Sequence, residues 1–282
     1  MDCPKCGSGV REHERLCSSC QHDCRCPNVR TAEKPEEVRA LERRLKDAEN
    51  VADAQGYRAV LEDFRKAVRG SQAVFCRDIS LVMKLVSSDS ELYVSFYDQV
   101  SSGARRPEQT PMEAQRKHAE EFVFPNYRER ICFAALALDG RGVTRFGKCS
   151  VELRQAHIQE RSTVFEENVV LFCERHDLGM KRLKVPLGYR AVWHQRDELA
   201  AAKLGARLTA QTAPQEFPEI LSKGGADAAT DRFVEVHIYG PIHRTNIARL
   251  SLAPPKRKAD QALLRKMVST LKAAGVIIEV KQ

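Results

Sequence analysis

Residues 233–239 read FVEVHIY and run directly into a Gly-Pro turn. Because side chains alternate between the two faces of a strand, the three aliphatic residues Val234, Val236 and Ile238 are predicted to face the core. The other face then carries an acid and an imidazole between two aromatic rings: Phe233, Glu235, His237 and Tyr239. Such a face suits the polar floor and apolar walls of a ligand cleft. The alternative is an edge strand whose outer face is only solvated.

Other segments of strand length surround this stretch. They are 131–138 (ICFAALAL), 149–154 (CSVELR), 162–165 (STVF), 169–173 (VVLFC), 247–252 (IARLSL) and 276–280 (VIIEV). Residues 194–208 and 261–275 have helical composition and spacing, and Gly275 is predicted to cap the second helix. This irregular order of strands and helices predicts an α+β domain with a mixed, mostly antiparallel sheet over residues 121–282.

Residues 31–120 are predicted to form a helical linker or helical subdomain. The charged segment 33–70 has apolar residues at helical spacing on both sides of Gly56, which indicates one broken helix or two. It contains too few clean heptads for a coiled coil, so a spacer arm packed on the next domain is favoured. Residues 74–100 resemble two further amphipathic segments. A polar loop with Pro107 and Pro111 follows and leads into a short helix before the turn at 124–127.

The first 30 residues form a separate module built on cysteine. Two C-x-x-C pairs, Cys3 with Cys6 and Cys17 with Cys20, are separated by ten residues. Four thiolates at this spacing complete the tetrahedral site that zinc prefers, and metal binding then supplies folding energy to a segment without a hydrophobic core. A redox pair is disfavoured because it needs only one C-x-x-C in a thioredoxin-like unit. The module resembles the zinc-ribbon group.

A second metal site remains open beside the first. Cys24 and Cys26 with His13 and His22 would supply four ligands, although free thiols are the simpler reading and one zinc is favoured over two. The four later cysteines are predicted to be buried thiols among apolar neighbours: Cys76, Cys132, Cys149 and Cys173.

Charge and composition restrict the compartment and the partners. The sequence shows no apolar run long enough for a membrane span and no secretory signal, which favours a reducing, cytoplasmic setting in which disulfides are rare. Residues 241–282 carry nine Lys and Arg against Asp260 and Glu279, a net charge of +7 within a chain of +8. A basic end of this kind fits a nucleic-acid partner; a solvated helix is the equally weighted alternative.

Four further residues are candidates for the cleft. Arg145 precedes the strand at 149–154, Arg161 opens the one at 162–165, and Tyr189 and Arg190 lie beside the only Trp. Each motif is weak alone, because an Arg next to Gly and aromatic residues is as often structural as phosphate-binding.

Together, FGKCSVELR at 146–154, the I-x-x-R-S pattern at 158–162 and the late strand with Glu before Gly-Pro resemble the ADP-ribosyltransferase superfamily, especially its bacterial and toxin-type members. The resemblance implies a split antiparallel sheet that holds NAD. It implies that Glu235 binds the nicotinamide ribose, that Tyr189 or Tyr239 stacks on nicotinamide and that an Arg holds the diphosphate. The family's first-strand Arg or His is not identified, and Arg145 and Arg161 are its candidates. Many members carry a second acid where this chain has His237.

Three functions follow from these features. The first is an NAD-consuming ADP-ribosyltransferase whose zinc module and basic end recruit a nucleic acid or protein target. The second is a non-enzymatic, zinc-dependent nucleic-acid-binding protein. The third is a hydrolase using Glu235 and His237 as general base and partner. The sequence leaves open the acceptor, the oligomeric state, and whether the protein is a toxin, a defence factor or a housekeeping enzyme.

Overall fold

A computed structural model describes residues 1–88, 90–101, 111–179, 182–223 and 232–280. Pro107 in the polar loop and Lys281 at the basic end lie outside the described residues. The helices are α1 Pro27–Ala32, α2 Pro35–Ala54, α3 Arg58–Arg69, α4 Ile79–Val86, α5 Phe96–Ser101, α6 Pro111–Val123, α7 Gln155–Ile158, α8 Val169–Arg175, α9 Arg196–Leu204, α10 Phe217–Ser222 and α11 Lys258–Ala273. The strands are β1 Gln72–Arg77, β2 Leu92–Tyr93, β3 Ile131–Ala137, β4 Cys149–Leu153, β5 Ser162–Phe165, β6 Arg190–Val192, β7 Arg232–Phe233, β8 Glu235–Tyr239, β9 Ile242–His243, β10 Ile247–Leu252 and β11 Ile277–Val280.

Eight strands form one sheet in the order β11-β10-β4-β1-β3-β8-β5-β6. Every neighbouring pair is antiparallel except β10 with β11, so the predicted α+β fold with a mixed, mostly antiparallel sheet is confirmed. Strand β8 lies between β3 and β5, which rules out the edge-strand reading of FVEVHIY.

The sheet divides between β1 and β3. These strands share only three register pairs, which end at Val74 opposite Ala135. Beyond that point β1 continues to pair with β4 through Arg77, and β3 continues to pair with β8 back to Ile131. The two halves of the sheet therefore separate into a fork whose base is formed by Val74 and Ala135, as expected for a split sheet.

Both faces of the sheet are covered. The larger apolar layer includes Leu41 of α2, Phe64 of α3 and Leu199 of α9, which pack on the face that holds Val236 and Ile238. The smaller layer is formed by α6 and α8 over the opposite face, with Val123, Phe124, Phe165 and Phe172 at its centre. The alternation predicted for β8 is thereby confirmed, and its polar face lies under the smaller layer rather than in water.

Two segments differ from the sequence-based expectation. Residues 169–173 were expected to be a strand but form α8, because the Asn168 side chain accepts hydrogen bonds from the N–H groups of Val170 and Leu171 and caps a helix. Residues 72–77 were expected to be helical but form β1, which is buried inside the sheet. A central strand of the sheet thus lies within the stretch predicted as a helical linker.

The charged segment 33–70 forms α2 and α3, which belong to the larger apolar layer. The cysteine module precedes α1, and Asn28 of α1 attaches it to the sheet. The Asn28 amide donates to the carbonyl of Arg161 at 3.2 Å and to that of His237 at 3.1 Å. Among the described residues, no helix combines the length and the apolar character needed to span a bilayer.

Candidate functional site

A cavity of about 190 Å³ opens into the fork between β1 and β3. Its walls come from both strands, from α6, from the start of α8 and from the turn at 143–146. The residues lining it are Val74, Phe75, Cys76, Arg77, Arg116, Glu120, Phe133, Ala134, Ala135, Val143, Arg145, Phe146, Asn168, Val169, Val170, Phe233 and Glu235. Apolar side chains dominate, and the few polar side chains are charged except for that of Asn168, as in sites for organic ligands.

Glu235 lies at the base of the fork. It is opposite Ala135 in the register of β3 and β8, and Ala135 is opposite Val74. The side chain is 6% exposed, and its carboxylate accepts the Val169 N–H at 3.3 Å and the Asn168 amide at 3.5 Å. These contacts hold a carboxylate in one position inside a partly apolar cavity, which favours a fixed negative charge.

His237 contacts the Glu235 carboxylate without lining the cavity. Its Nε2 lies 3.0 Å from Oε2 of Glu235, and its ring packs against those of Phe124, Phe133 and Phe165. Burial, reinforced by the nearby Arg190 guanidinium, lowers the pKa of His237 to about 3. The imidazole is therefore neutral at physiological pH and does not itself line the cavity. Its place is that of a positioning residue for the carboxylate.

Three arginines line the cavity together with Glu235. Arg77 ends β1 three residues beyond the fork base, about 10 Å along the strand. Its guanidinium contacts the Tyr93 hydroxyl and donates to the Cys76 carbonyl at 2.7 Å. Arg116 of α6 pairs with the buried Glu120 at 2.5 Å, and burial raises the pKa of Glu120 despite this ion pair. Arg145 lies at the exposed rim.

Glycines allow the rim turn to pack closely against β1. Gly147 has φ +150°, and a Cβ atom there would lie 2.1 Å from the carbonyl carbon of Arg77. At Gly142, with φ +56°, a Cβ atom would lie 2.8 Å from Val74. Only residues without a side chain permit this backbone approach, so the turn that carries Arg145 is fixed against the strand that carries Arg77.

The structure gathers some of the predicted site residues and separates others. Glu235, His237 and Arg145 lie at or beside the cavity. Arg161 instead holds backbone carbonyls, with its Nη1 donating to those of Tyr239 at 2.6 Å and Gly240 at 3.2 Å. Tyr239 lies at the far end of β8 and packs against Tyr127 and the residues around Cys26.

Tyr189 and Arg190 likewise lie outside the cavity lining. The Arg44 guanidinium covers the Tyr189 ring at 3.8 Å, and Arg190 forms a buried ion pair with Glu37 at 3.2 Å. Through these contacts Tyr189 and Arg190 join β6 and the residue before it to α2, which is a structural role.

Sequence reasoning missed Arg77, Arg116 and Asn168, all of which line the cavity. Arg77 ends β1, the first strand of the sheet along the chain, which lies in the stretch predicted to be helical. Asn168 was hidden by reading 169–173 as a strand. An Asn before an apolar run is a helix N-cap signal, and it was available in the sequence.

The cysteine module brings its four predicted ligands together. The Sγ atoms of Cys3, Cys6, Cys17 and Cys20 all lie within 4.8 Å of one another. The Cys3–Cys20 and Cys6–Cys17 pairs are separated by 3.6 Å each, distances that suit a shared ion rather than a disulfide. Hydrogen bonding from Ser8 contributes most to lowering the pKa of Cys6 to about 6, which favours the thiolate form.

The second set of predicted ligands is dispersed. The Cys24 thiol packs against Cys3 and Cys17 and points to the His22 carbonyl, whereas Cys26 is buried under Tyr239 and Val29. Among the described residues, only the four cysteines of the two C-x-x-C pairs form a cluster with metal-ligand geometry.

No family model and no curated protein matches the sequence. Among solved structures, the chain is similar to Thermus sp. 2.9 DarT in complex with ADP-ribosylated ssDNA, with 8% identity and a TM-score of 0.41 over 75% of this chain and 94% of that chain. It is also similar to Thermus sp. 2.9 DarT in complex with NAD+, with 9% identity and a TM-score of 0.37 over 75% of this chain and 96% of that chain.

Proposed function

We propose that this protein is an NAD-dependent ADP-ribosyltransferase whose active site is the fork cavity. The observation that carries the proposal is the Glu235 carboxylate, buried at the base of a fork cavity that Arg77, Arg116 and Arg145 also line. A fixed anion suits a sugar on which positive charge develops, and guanidinium groups suit a diphosphate. The apolar walls between them exclude water from the reacting carbon.

The proposed reaction begins with NAD bound so that its nicotinamide ribose meets Glu235. The bond between ribose C1′ and the nicotinamide nitrogen breaks, and its electron pair leaves with nicotinamide. The Glu235 carboxylate stabilises the resulting oxocarbenium ion electrostatically. A nucleophile of the acceptor then forms the new bond to C1′ and loses its proton to solvent.

The structure supports some roles in this reaction better than others. Arg77 takes the place of the unassigned first-strand arginine, and Arg145 remains a diphosphate candidate. Rings that line the cavity, among them Phe75 and Phe133, are better placed to contact nicotinamide than Tyr189 or Tyr239. The hydrolase hypothesis loses support because His237 is buried, stays neutral and does not reach the cavity.

We also propose that the cysteine module binds one zinc ion through Cys3, Cys6, Cys17 and Cys20. When bound, zinc would supply folding energy to a segment that lacks a core, rather than chemistry at the fork. The module would act in docking the target, since Asn28 connects it to the backbone of β8.

The proposed acceptor is a nucleic acid, favoured by the basic residues of 241–280 that lie on the surface. Lys256, Lys258, Arg265 and Lys266 are exposed on or beside α11, whose apolar face is buried through Met267 and Leu271. If nucleic-acid binding occurs without turnover, the non-enzymatic alternative replaces the transferase.

The test is incubation of the full chain with nicotinamide-labelled NAD, with and without single-stranded DNA, RNA and lysate. We expect nicotinamide release from the wild type and a loss of about 100-fold or more in Glu235→Gln, which keeps the shape but removes the charge. Glu219→Gln is the matched control, because Glu219 is 74% exposed and pairs with Lys223 alone among the described ion pairs. Equal release by wild type and Glu235→Gln would contradict the proposal.

A further inference from the structure

An exposed aromatic ring stands at the rim of the fork cavity. Phe146 is 43% exposed although it also lines the cavity, and Phe233 approaches it edge-on with ring centres 6.5 Å apart. The Arg145 guanidinium lies 4.5 Å from the centre of the Phe146 ring. A large apolar ring left open beside a cavity marks a binding surface more often than an isolated surface residue does.

The ring is held in place rather than carried on a loose loop. The turn that contains it, Thr144–Phe146, ends at Gly147, whose backbone lies directly against Arg77 of β1. A preorganised ring loses little conformational freedom when a flat ligand stacks on it.

The charge around this ring is positive. Arg141, Arg145 and Lys148 are exposed within the same short loop, against the single acid Asp139, which pairs with Arg141 at 3.5 Å. Basic side chains interleaved with an exposed aromatic ring are the pattern that binds single-stranded nucleic acid, in which phosphates meet cations and unpaired bases stack.

The basic C-terminal segment begins at the same end of the sheet. Cys149, the first residue of β4, is opposite both Arg77 of β1 and Leu252 of β10. The chain therefore enters β4 from Lys148 at the end where β10 leaves toward Lys256 and Lys258, both of which are exposed. These cations extend the positive rim beyond the Phe146 turn.

We propose that Phe146 and Arg145 form a stacking platform for an unpaired base of a single-stranded nucleic acid acceptor, with Lys148, Lys256 and Lys258 along its phosphate path. This inference rests on the proposed function, since the platform would present the acceptor to the sugar held at Glu235. A duplex does not fit this role because its bases are already stacked on each other.

The experiment measures binding without NAD, so that it is independent of turnover. Fluorescence anisotropy compares a labelled single-stranded oligonucleotide with the same sequence as a duplex. We expect Phe146→Ala to weaken single-strand binding about tenfold, Phe146→Trp to retain it, and neither to alter duplex binding. Leu183→Ala is the control, because Leu183 is an equally apolar surface residue with 83% exposure.

Charge variants test the second part of the platform. Arg145→Ala and Lys148→Ala should each weaken binding and lower the dependence of log affinity on log salt by about 0.7, whereas Phe146→Ala should leave that slope unchanged. Unchanged single-strand affinity in Phe146→Ala would overturn the platform, as would transfer of ADP-ribose to protein alone. Because the assay contains no NAD, loss of turnover in Glu235→Gln neither supports nor removes this result.

Discussion

The cysteine module and the fork cavity are assembled in opposite ways. The four cysteines of the module fall between positions 3 and 20, and two short turns suffice to bring their sulfur atoms together. The polar groups of the fork cavity come from β1, α6, the 144–146 turn, the Asn168 cap of α8 and β8, which are spread between positions 77 and 235. The cysteine site can therefore be predicted from local sequence spacing, whereas the fork cavity exists only after the sheet has formed.

Removing the metal should have the largest effect, and it should be confined to the module. We expect one zinc per chain, and we expect chelation to unfold residues 1–24 with a loss of about 10 kcal/mol of metal-coupled folding energy. The sheet should remain folded because its main core contains none of the module's cysteines. Metal analysis and limited proteolysis measure the two parts.

Cys24→Ser provides the control for this prediction, since Cys24 lies outside the four-sulfur cluster. It should retain one equivalent of zinc, whereas Cys17→Ser should lose it. Two equivalents of zinc in the wild type would instead support the second metal site predicted from Cys24, Cys26, His13 and His22.

A single methyl group should disturb the fork. Gly147→Ala places a Cβ atom 2.1 Å from the Arg77 backbone at a φ of +150° that other residues rarely adopt. We expect a loss of about 3 kcal/mol in the free energy of unfolding, measured by urea denaturation, together with weaker NAD binding. Gly9→Ala, where nothing lies within 4 Å of the new atom, should change neither.

Substitution of two arginines should separate effects on NAD binding in the fork from effects on the stability of the sheet. Arg77→Ala should weaken NAD binding about tenfold by calorimetry, because Arg77 lines the cavity. Arg161→Ala should leave NAD affinity near the wild-type value and lower thermal stability instead, since Arg161 holds the carbonyls of Tyr239 and Gly240. The reverse pattern would return Arg161 to the site.

The smallest predicted effect is a pH dependence. Burial lowers the pKa of His237 to about 3, below the value near 6.5 expected in the unfolded chain. The unfolded state therefore takes up a proton first as the pH falls below about 6.5, so this histidine makes the wild type less stable with falling pH until its folded pKa is reached. His237→Gln should remove that contribution. The difference in unfolding free energy between wild type and variant should change by about 1 kcal/mol between pH 7 and about pH 5.7.

Much of the fold followed from the sequence. The alternation in FVEVHIY fixed which residues of β8 face the larger apolar layer, and strands β3, β4, β5, β10 and β11 were all recognised from their patterns. Glu235 is a candidate from the sequence because its strand pattern places it on a polar face and because the family resemblance assigns a glutamate to a late strand. The alternation of apolar and polar residues along 233–239 is visible without knowledge of the neighbouring strands.

The remainder of the site depends on contacts that no single segment records. Arg77 lines the cavity because β1 separates from β3. The two strands share three residue pairs, and beyond these β1 pairs with β4 while β3 pairs with β8. Arg161 had a suggestive sequence neighbourhood, but its guanidinium meets backbone carbonyls 78 and 79 positions away. Tertiary geometry decides between such arginines.

The proposed function requires that NAD binds in the fork. Hydrogen exchange of the Glu235→Gln protein, with and without NAD, locates the ligand without turnover. We predict that NAD slows exchange in peptides covering residues 72–77 and 131–137, and leaves residues 1–24 of the cysteine module unchanged. Unaltered exchange in both fork strands at saturating NAD, or protection confined to the module, would contradict the central claim.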